Sequence, residues 1–343
     1  MQLTKEQSHV LEELLKVKKD TVTLGGYAGT GKTTVISHLS EILPNFAVCA
    51  FTGKAANVLR KKGISDASTI HSLIYTPYQD IHGNVYFSLA EFLDCDGIIV
   101  DEASMVSKEI YDDLLYFNKP VIFVGDHGQL EPVGDKFNLM EKPDYILKTI
   151  HRNAGEIAHF AEFTRQGYRP AAWAHRSSGK KVEFIDPRSY KEAIHKVDQV
   201  ICAFNKTRVE INIDARKQLG RQGTQPVVDD RIMCLRNDSR VGLFNGMQGV
   251  VKSVDENRLT FSADNQTFYD LPCDLKVFHQ AKPDFDFEGP HPFDFCWGVT
   301  CHKAQGDEWP RGLVLEQKCD LWDHPRWAYT AASRFKEGIV WVA

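Results

Sequence analysis

Apolar residues in this chain come in short, nearly continuous runs separated by stretches of helical period. Thr21 to Leu24, Ala47 to Phe51, Gly97 to Val100 and Val121 to Val124 are such runs, the pattern of strands buried on both faces of a parallel sheet. Leu11, Leu14 and Leu15 follow Thr4 at helical spacing, with Gln7 three residues after Thr4 as in a capping box, so a helix precedes the first strand. The run at Thr21 ends in glycines and passes into a helical segment from Lys32 to Leu43. Strand, glycine loop and helix in that order open a doubly wound α/β domain, read here as residues 1–150. Inside it, Tyr78 to Ile81 and Val85 to Phe87 flank His82-Gly83-Asn84, which predicts an inserted β-hairpin at about residues 75–92.

A helical stretch from Ala154 to Gln166 leads to strand-like runs at Val182–Ile185 and Val200–Phe204 and a helix over Arg208–Leu219. The chain ends on Gly312–Leu315, a helix around Trp327–Phe335 and the strand Ile339–Val342. These pieces predict a second α/β domain assembled from residues 151–225 and 293–343. Between them, Arg231–Leu235, Met247–Val254, Arg258–Ser262 and Thr267–Leu271 are short strands separated by turn residues. They predict a small antiparallel barrel at 226–292, with Pro283 to Pro292 as a connecting loop.

Length and composition agree with this layout. The chain has 343 residues, 43% hydrophobic and 25% charged, enough for about two ordinary globular domains. Its net charge is −5, with 14 Lys and Arg against 20 acidic residues in the first 150 and 27 against 26 in the rest. Bulk charge therefore does not announce a nucleic-acid binder, and one would need a local basic and aromatic groove. The eight cysteines are scattered without a Cys-x-x-Cys pair, which reads as reduced, buried thiols in a cytosol-like compartment. No stretch approaches the roughly 18 apolar residues of a membrane span, and Met1–Lys19 is charged and helical in pattern rather than a signal peptide, so no membrane partner is expected.

The chemistry lies at the ends of the apolar runs. Gly26-Tyr27-Ala28-Gly29-Thr30-Gly31-Lys32-Thr33, followed by Thr34, fulfils the P-loop pattern between a strand and a helix. Backbone N–H groups of such a loop cradle phosphates, the lysine reaches the β- and γ-phosphates, and the Thr33 hydroxyl binds Mg²⁺. The run Ile98-Ile99-Val100 passes into Asp101-Glu102, an acidic pair placed to hold the Mg²⁺ through Asp101 and to activate water through Glu102. Val121–Val124 ends in Gly125-Asp126-His127-Gly128-Gln129, where Gln129 is placed to sense the γ-phosphate. Arg152 and Arg334 are candidate arginine fingers for the transferring phosphoryl group.

In their order and spacing these blocks resemble the superfamily 1 DNA helicases, in the 1B branch of RecD-like, Pif-like and Dda-type enzymes. Leu3-Thr4-Lys5-Glu6-Gln7 resembles the Q motif, Thr52-Gly53-Lys54-Ala55-Ala56 motif Ia and Ser68-Thr69-Ile70-His71-Ser72 motif Ib. Asp101-Glu102 stands as motif II, Gly125-Asp126 with Gln129 and Pro132 as III, Arg152 as IV, Thr300-Cys301-His302-Lys303-Ala304-Gln305-Gly306 as V and Arg334 as VI. The resemblance implies two RecA-like P-loop domains, the hairpin as a strand-separating pin and the barrel as domain 2B. It implies ATP and Mg²⁺ as cofactors, with Gln7 reading the adenine, Gly306 beside the nucleotide, and Lys32, Glu102, Gln129, Arg152 and Arg334 as catalytic residues. Single-stranded DNA would be contacted by Phe51, Thr52, Lys54, His71, Thr300, His302 and Lys303. Movement from 5′ to 3′, unwinding of fork DNA, and roles in replication, recombination or repair also follow from the resemblance. So do a monomeric state, a cytoplasmic or nucleoid-associated location, and a replication or single-strand-binding protein as partner. Phe51 stands where the family commonly has proline, and Ser333 where it has threonine. Two other readings share the ATPase blocks, an RNA-directed helicase and a DNA-stimulated ATPase that translocates without unwinding. Trp297 and Trp309, which flank motif V, read as packing residues.

Overall fold

The computed structural model describes residues 3–16, 19–79, 85–131, 137–150, 155–176, 179–238, 240–263, 266–286, 289–320 and 322–343. Arg152, Pro132 and the expected hairpin tip His82-Gly83-Asn84 lie outside them. Two compact units divide between Ala154 and Gly155.

The first unit opens with α1 (Lys5–Lys16), capped as its sequence predicts. The Thr4 N–H donates to Gln7 Oε1 at 3.0 Å, and the Gln7 N–H to Thr4 Oγ1 at 3.3 Å. There follow β1 (Thr21–Gly26), α2 (Lys32–Ile42), β2 (Phe46–Ala50), α3 (Gly53–Lys61), β3 (Ser68–Thr69) and α4 (Ile70–Ile74). The hairpin is β4 (Tyr75–Gln79) and β5 (Val85–Leu89), and the unit continues through β6 (Gly97–Asp101), α5 (Lys108–Tyr116), β7 (Val121–Gly125) and β8 (Tyr145–Leu147). Six strands form one parallel sheet in the order β3-β2-β6-β7-β1-β8. Successive residues of a strand point to opposite faces, and each face has its own core. Ile99 and Val124 pack with Leu11, Ile36 and Leu59, whereas Val100 and Phe123 pack with Ile70, Ile74 and Leu114. The uninterrupted apolar runs in the sequence have this cause.

The second unit contains α6 (Glu156–Arg165), β9 (Val182–Ile185), α7 (Tyr190–Ala193), β10 (Gln199–Cys202) and α8 (Asn205–Gln218). Then come β11 (Arg231–Cys234), β12 (Gln248–Asp255), β13 (Arg258–Ala263), β14 (Gln266–Asp274) and β15 (His291–Phe295). It ends with β16 (Gly298–Thr300), β17 (Trp309–Leu315), α9 (His324–Ala332) and β18 (Phe335–Val342). A five-stranded parallel sheet runs β16-β10-β17-β18-β9, and β11 to β15 close into a barrel. The connecting loop expected to run to Pro292 stops earlier, because His291 and Pro292 already belong to β15. Phe293 and Phe295 are fully buried in the barrel core and draw the segment in, while Pro292 sits near the strand start, where a missing N–H is tolerated. The expected division at 292/293 thus falls inside a strand. Helix α8 fastens the barrel to the sheet with buried polar groups. Arg208 pairs with Asp294, Arg216 with Asp230 at 3.2 Å while its guanidinium lies 4.2 Å from the Phe295 ring centre, and Asn212 donates to the Phe295 carbonyl at 2.8 Å.

Six of the eight cysteines are buried and all are free thiols, and Trp297 is a core residue beside Phe295. Among the described residues no helix is long and apolar enough to cross a membrane, and no three His, Cys, Asp or Glu side chains form a metal-sized cluster.

Candidate active site

The carboxyl ends of a parallel sheet are where loops are free to build a site, and the sheet order divides this edge in two. Strands β1, β6 and β7 are neighbours and end in the P-loop, Asp101-Glu102 and Gly125-Asp126. Strands β2 and β3 lie beside them and end in the Thr52 and His71 segments. One edge therefore carries a phosphate-type half and a half with exposed polar groups.

In the phosphate half, Gly29 and Gly31 take φ values of +80° and +86°, which only glycine adopts without strain. A Cβ on Gly31 would stand 2.2 Å from Gln7 Nε2 and would displace that amide from its place against the loop. Gln7 is buried, its Nε2 donating to the Thr30 carbonyl at 3.0 Å and its Oε1 accepting from Thr4, so it braces the loop from behind. Lys32 Nζ donates to the Gly26 and Tyr27 carbonyls at 2.7 and 3.1 Å and lies 3.9 Å from Asp126 Oδ2. Asp126 is fully buried and accepts from Gly128 N–H at 2.9 Å and from Gln129 Nε2 at 3.1 Å, which fixes the Gln129 side chain. That anchoring role of Asp126 is not visible from its spacing alone.

Asp101 ends β6 with its carboxylate accepting the Glu102 N–H at 2.9 Å. Burial pushes its pKa up, against the lowering effect of that bond and of Lys32. A desolvated carboxylate gains from a cation beside it, and Asp101 with the Thr33 hydroxyl supplies the hard oxygen donors that suit Mg²⁺. Glu102 itself has φ +54°, a left-handed conformation costly for a side chain of its size and of the kind found at functional positions.

On the other half, Thr52 and Thr69 cap α3 and α4, accepting from Ala55 N–H and Ser72 N–H, each at 3.1 Å. His71 is exposed, Lys54 half-buried, and Phe51 half-buried with its ring edge-on to His71 at 6.4 Å. In the second unit, Cys202 and Thr300 are register partners at the ends of β10 and β16. Thr300 is buried, His302 half-buried, and exposed Lys303 donates to Asn245 Oδ1 at 2.8 Å in the loop between β11 and β12. Asn245 was missed in the sequence, although Asn-Gly between two strands is a turn signal. Gly306 turns the chain with φ +82°. Arg334 is buried, with Nε donating to the Thr330 carbonyl at 3.2 Å and Nη2 to Ser333 Oγ at 2.9 Å.

Against known proteins, the profile of a family described as "AAA domain" matches residues 2–186, more than half of the chain. The chain belongs to that family. The relatives that the chain matches include RecD and Dda DNA helicases. The ATP-dependent RecD2 DNA helicase of Deinococcus radiodurans is 27% identical over 91% of this chain and 45% of its own length. The ATP-dependent DNA helicase dda of Enterobacteria phage T4 is 34% identical over 38% of this chain and 32% of its own. The chain thus spans less than half the length of either relative. Among solved structures, Pif1 helicase from Bacteroides in complex with ADP-AlF3 and single-stranded DNA superposes with a TM-score of 0.69 at 22% identity, covering 100% of this chain and 93% of that one. That likeness establishes the fold.

The histidines of this AAA-domain chain set a pH dependence. Burial holds His279, His291 and His302 below the ordinary 6.5. Below about pH 6.5 the unfolded chain therefore takes up protons that the folded chain refuses, and stability is lost as pH falls. The melting temperature is expected to drop by a few degrees between about pH 7.5 and 5.5 and to show no slope from these groups above that range. A melting temperature that holds or rises down to pH 5.5 contradicts this account.

Proposed function

We propose that this chain is an ATP- and Mg²⁺-dependent motor that moves 5′ to 3′ along single-stranded DNA and separates duplex DNA. The observation that carries the reading is the divided sheet edge: P-loop, acidic pair and Asp126-Gln129 end three adjacent strands, and the Thr52 and His71 segments end the next two. Nucleotide chemistry and strand contact built on one sheet are what a motor needs. The names of the relatives, DNA helicases in both bacterium and phage, favour DNA over RNA as the track.

In this reading the γ-phosphate draws Lys32 away from the Gly26 and Tyr27 carbonyls that hold it here. Thr33 and Asp101 hold Mg²⁺, which neutralises developing phosphate charge when bound. Glu102 orients the attacking water, Gln129 reports the γ-phosphate through its link to Asp126, and Arg152 and Arg334 supply the finger charges. Gln7 at the back of the loop reads the adenine. Thr52, Lys54, His71, Thr300, His302 and Lys303 grip phosphates, with Phe51 stacking on a base. We assign residues 1–150 to domain 1A with the hairpin as its pin, the two α/β segments of the second unit to domain 2A, and the barrel to domain 2B. Such a motor works as a monomer on strands offered by replication or single-strand-binding proteins in the cytoplasm.

Strand displacement on matched duplexes bearing a 5′ or a 3′ single-stranded tail tests the proposal. Displacement from the 5′ tail alone is the expected result. Displacement from the 3′ tail alone refutes the polarity, and ATP hydrolysis stimulated more strongly by RNA than by DNA refutes the track.

A further inference from the structure

A two-stranded hairpin has little stability of its own, so its direction must be set where it joins the body. Tyr75 is that junction. It ends α4, its N–H donating to the His71 carbonyl, and it begins β4, paired with Leu89 of β5. The Ala90 N–H donates to the Ile74 carbonyl at 2.8 Å and closes the other side of the base. The Tyr75 side chain turns inward, half-buried, and its hydroxyl donates to Asp113 Oδ2 on α5. Its ring lies 5.4 Å from that of His71, which lies 6.4 Å from Phe51. Glu109, one turn before Asp113 on α5, acts electrostatically on both His71 and Tyr75. One hydrogen bond, from Tyr75 to Asp113, thus joins the base of the hairpin to α5, in the field of a second carboxylate one turn away.

Helix α5 begins six residues after Glu102, capped by Ser107, whose Oγ accepts from the Ile110 N–H. The chain therefore runs from the acidic pair of the nucleotide half through α5 to Asp113, and across one hydrogen bond to the base of the hairpin. We propose that Tyr75 is a positioning residue whose hydrogen bond to Asp113 holds the hairpin at a fixed angle to the body, so that ATP-driven movement of the strand is delivered to the duplex as separation. The inference rests on the motor reading above. Hydrogen bonds to a charged carboxylate are among the stronger ones, and loss of this one frees the hairpin without emptying the ring contacts to His71.

The test is Tyr75→Phe, which removes only the hydroxyl. Base pairs displaced per ATP hydrolysed are expected to fall roughly tenfold, the size of effect that losing such a bond produces. DNA-stimulated ATP hydrolysis and single-strand affinity are expected to stay at wild-type values, with the melting temperature lower by no more than about the few degrees that one hydrogen bond is worth, whereas a general structural defect would lower all three. Asp113→Ala should reproduce the loss, the double variant should be no worse than either single one, and Asp113→Asn, which keeps an accepting oxygen, should recover part of it. A Tyr75→Phe protein that displaces strands per ATP as the wild type does overturns this role and leaves the motor reading standing. Wild-type protein that hydrolyses ATP without displacing any strand overturns the unwinding reading, and this role with it.

Discussion

Lys32→Ala is expected to abolish ATP hydrolysis while single-stranded DNA still binds. The reason is the position of the ammonium, held by the Gly26 and Tyr27 carbonyls and 3.9 Å from Asp126, at the mouth of a loop whose glycines take left-handed φ values. A phosphate in the loop competes with two neutral carbonyls for that charge, and charge that develops on the transferring group strengthens the attraction. Removing one preorganised group of this kind costs about 10²–10³ in rate, and more where it also secures ground-state binding. Thr52, Lys54 and His71 leave different strands of the sheet and do not depend on Lys32, so strand affinity without nucleotide should remain within a few-fold. Asp126 is fully buried, and taking away the nearby cation also costs stability. Lys32→Arg, which keeps the charge but misplaces it, separates the two effects: it should retain the fold and still lose turnover. Retained DNA-stimulated turnover in Lys32→Ala would mean that the nucleotide is not handled by this loop.

Much of this site was legible because its residues are fixed by local rules. The P-loop declares itself through glycines that must adopt positive φ and a lysine and threonine in register with them, and the capping box at Thr4 and Gln7 is a contact between residues three apart. The longer strands of both parallel sheets were readable as apolar runs, most of them because both faces are buried. Long-range polar contacts left no such trace. Nothing in the spacing of the helix read over Arg208–Leu219 marks Arg208, Asn212 and Arg216, yet all three are buried on α8, and they attach the barrel whose strands lie up to 86 residues further along. Tyr75 and Asp113, 38 residues apart, and Lys303 and Asn245, 58 apart, likewise meet only once the sheet and barrel have formed. β15 was hidden by its proline, which marks a loop until the burial of Phe293 and Phe295 is weighed against it. The short strands β3, β8 and β16 carry too few residues to make a periodic signal.

Glu102→Gln isolates the chemical step from binding. The glutamate stands directly after β6 in a left-handed conformation, on a backbone held by the bond from its own N–H to Asp101 and by the Met105 N–H donating to its carbonyl. Glutamine has the same length, the same backbone preference and one oxygen in place, so the loop should keep its shape and its neighbour Asp101, the residue proposed to hold Mg²⁺. What disappears is the negative charge that in the proposed reaction orients and deprotonates water, a contribution of about 10²–10⁴-fold. Single-turnover hydrolysis is therefore expected to fall by that factor, with nucleotide affinity and melting temperature near wild type. This differs from Lys32→Ala, in which binding and chemistry should fail together. The strained φ adds a second reading of the same position. Glu102→Gly should relieve the strain and raise the melting temperature slightly while losing hydrolysis as glutamine does, the pattern of a residue kept at a cost in stability for its function. Hydrolysis by Glu102→Gln within tenfold of wild type would remove Glu102 from the reaction and turn attention to Gln129, the other polar side chain fixed at this edge by Asp126.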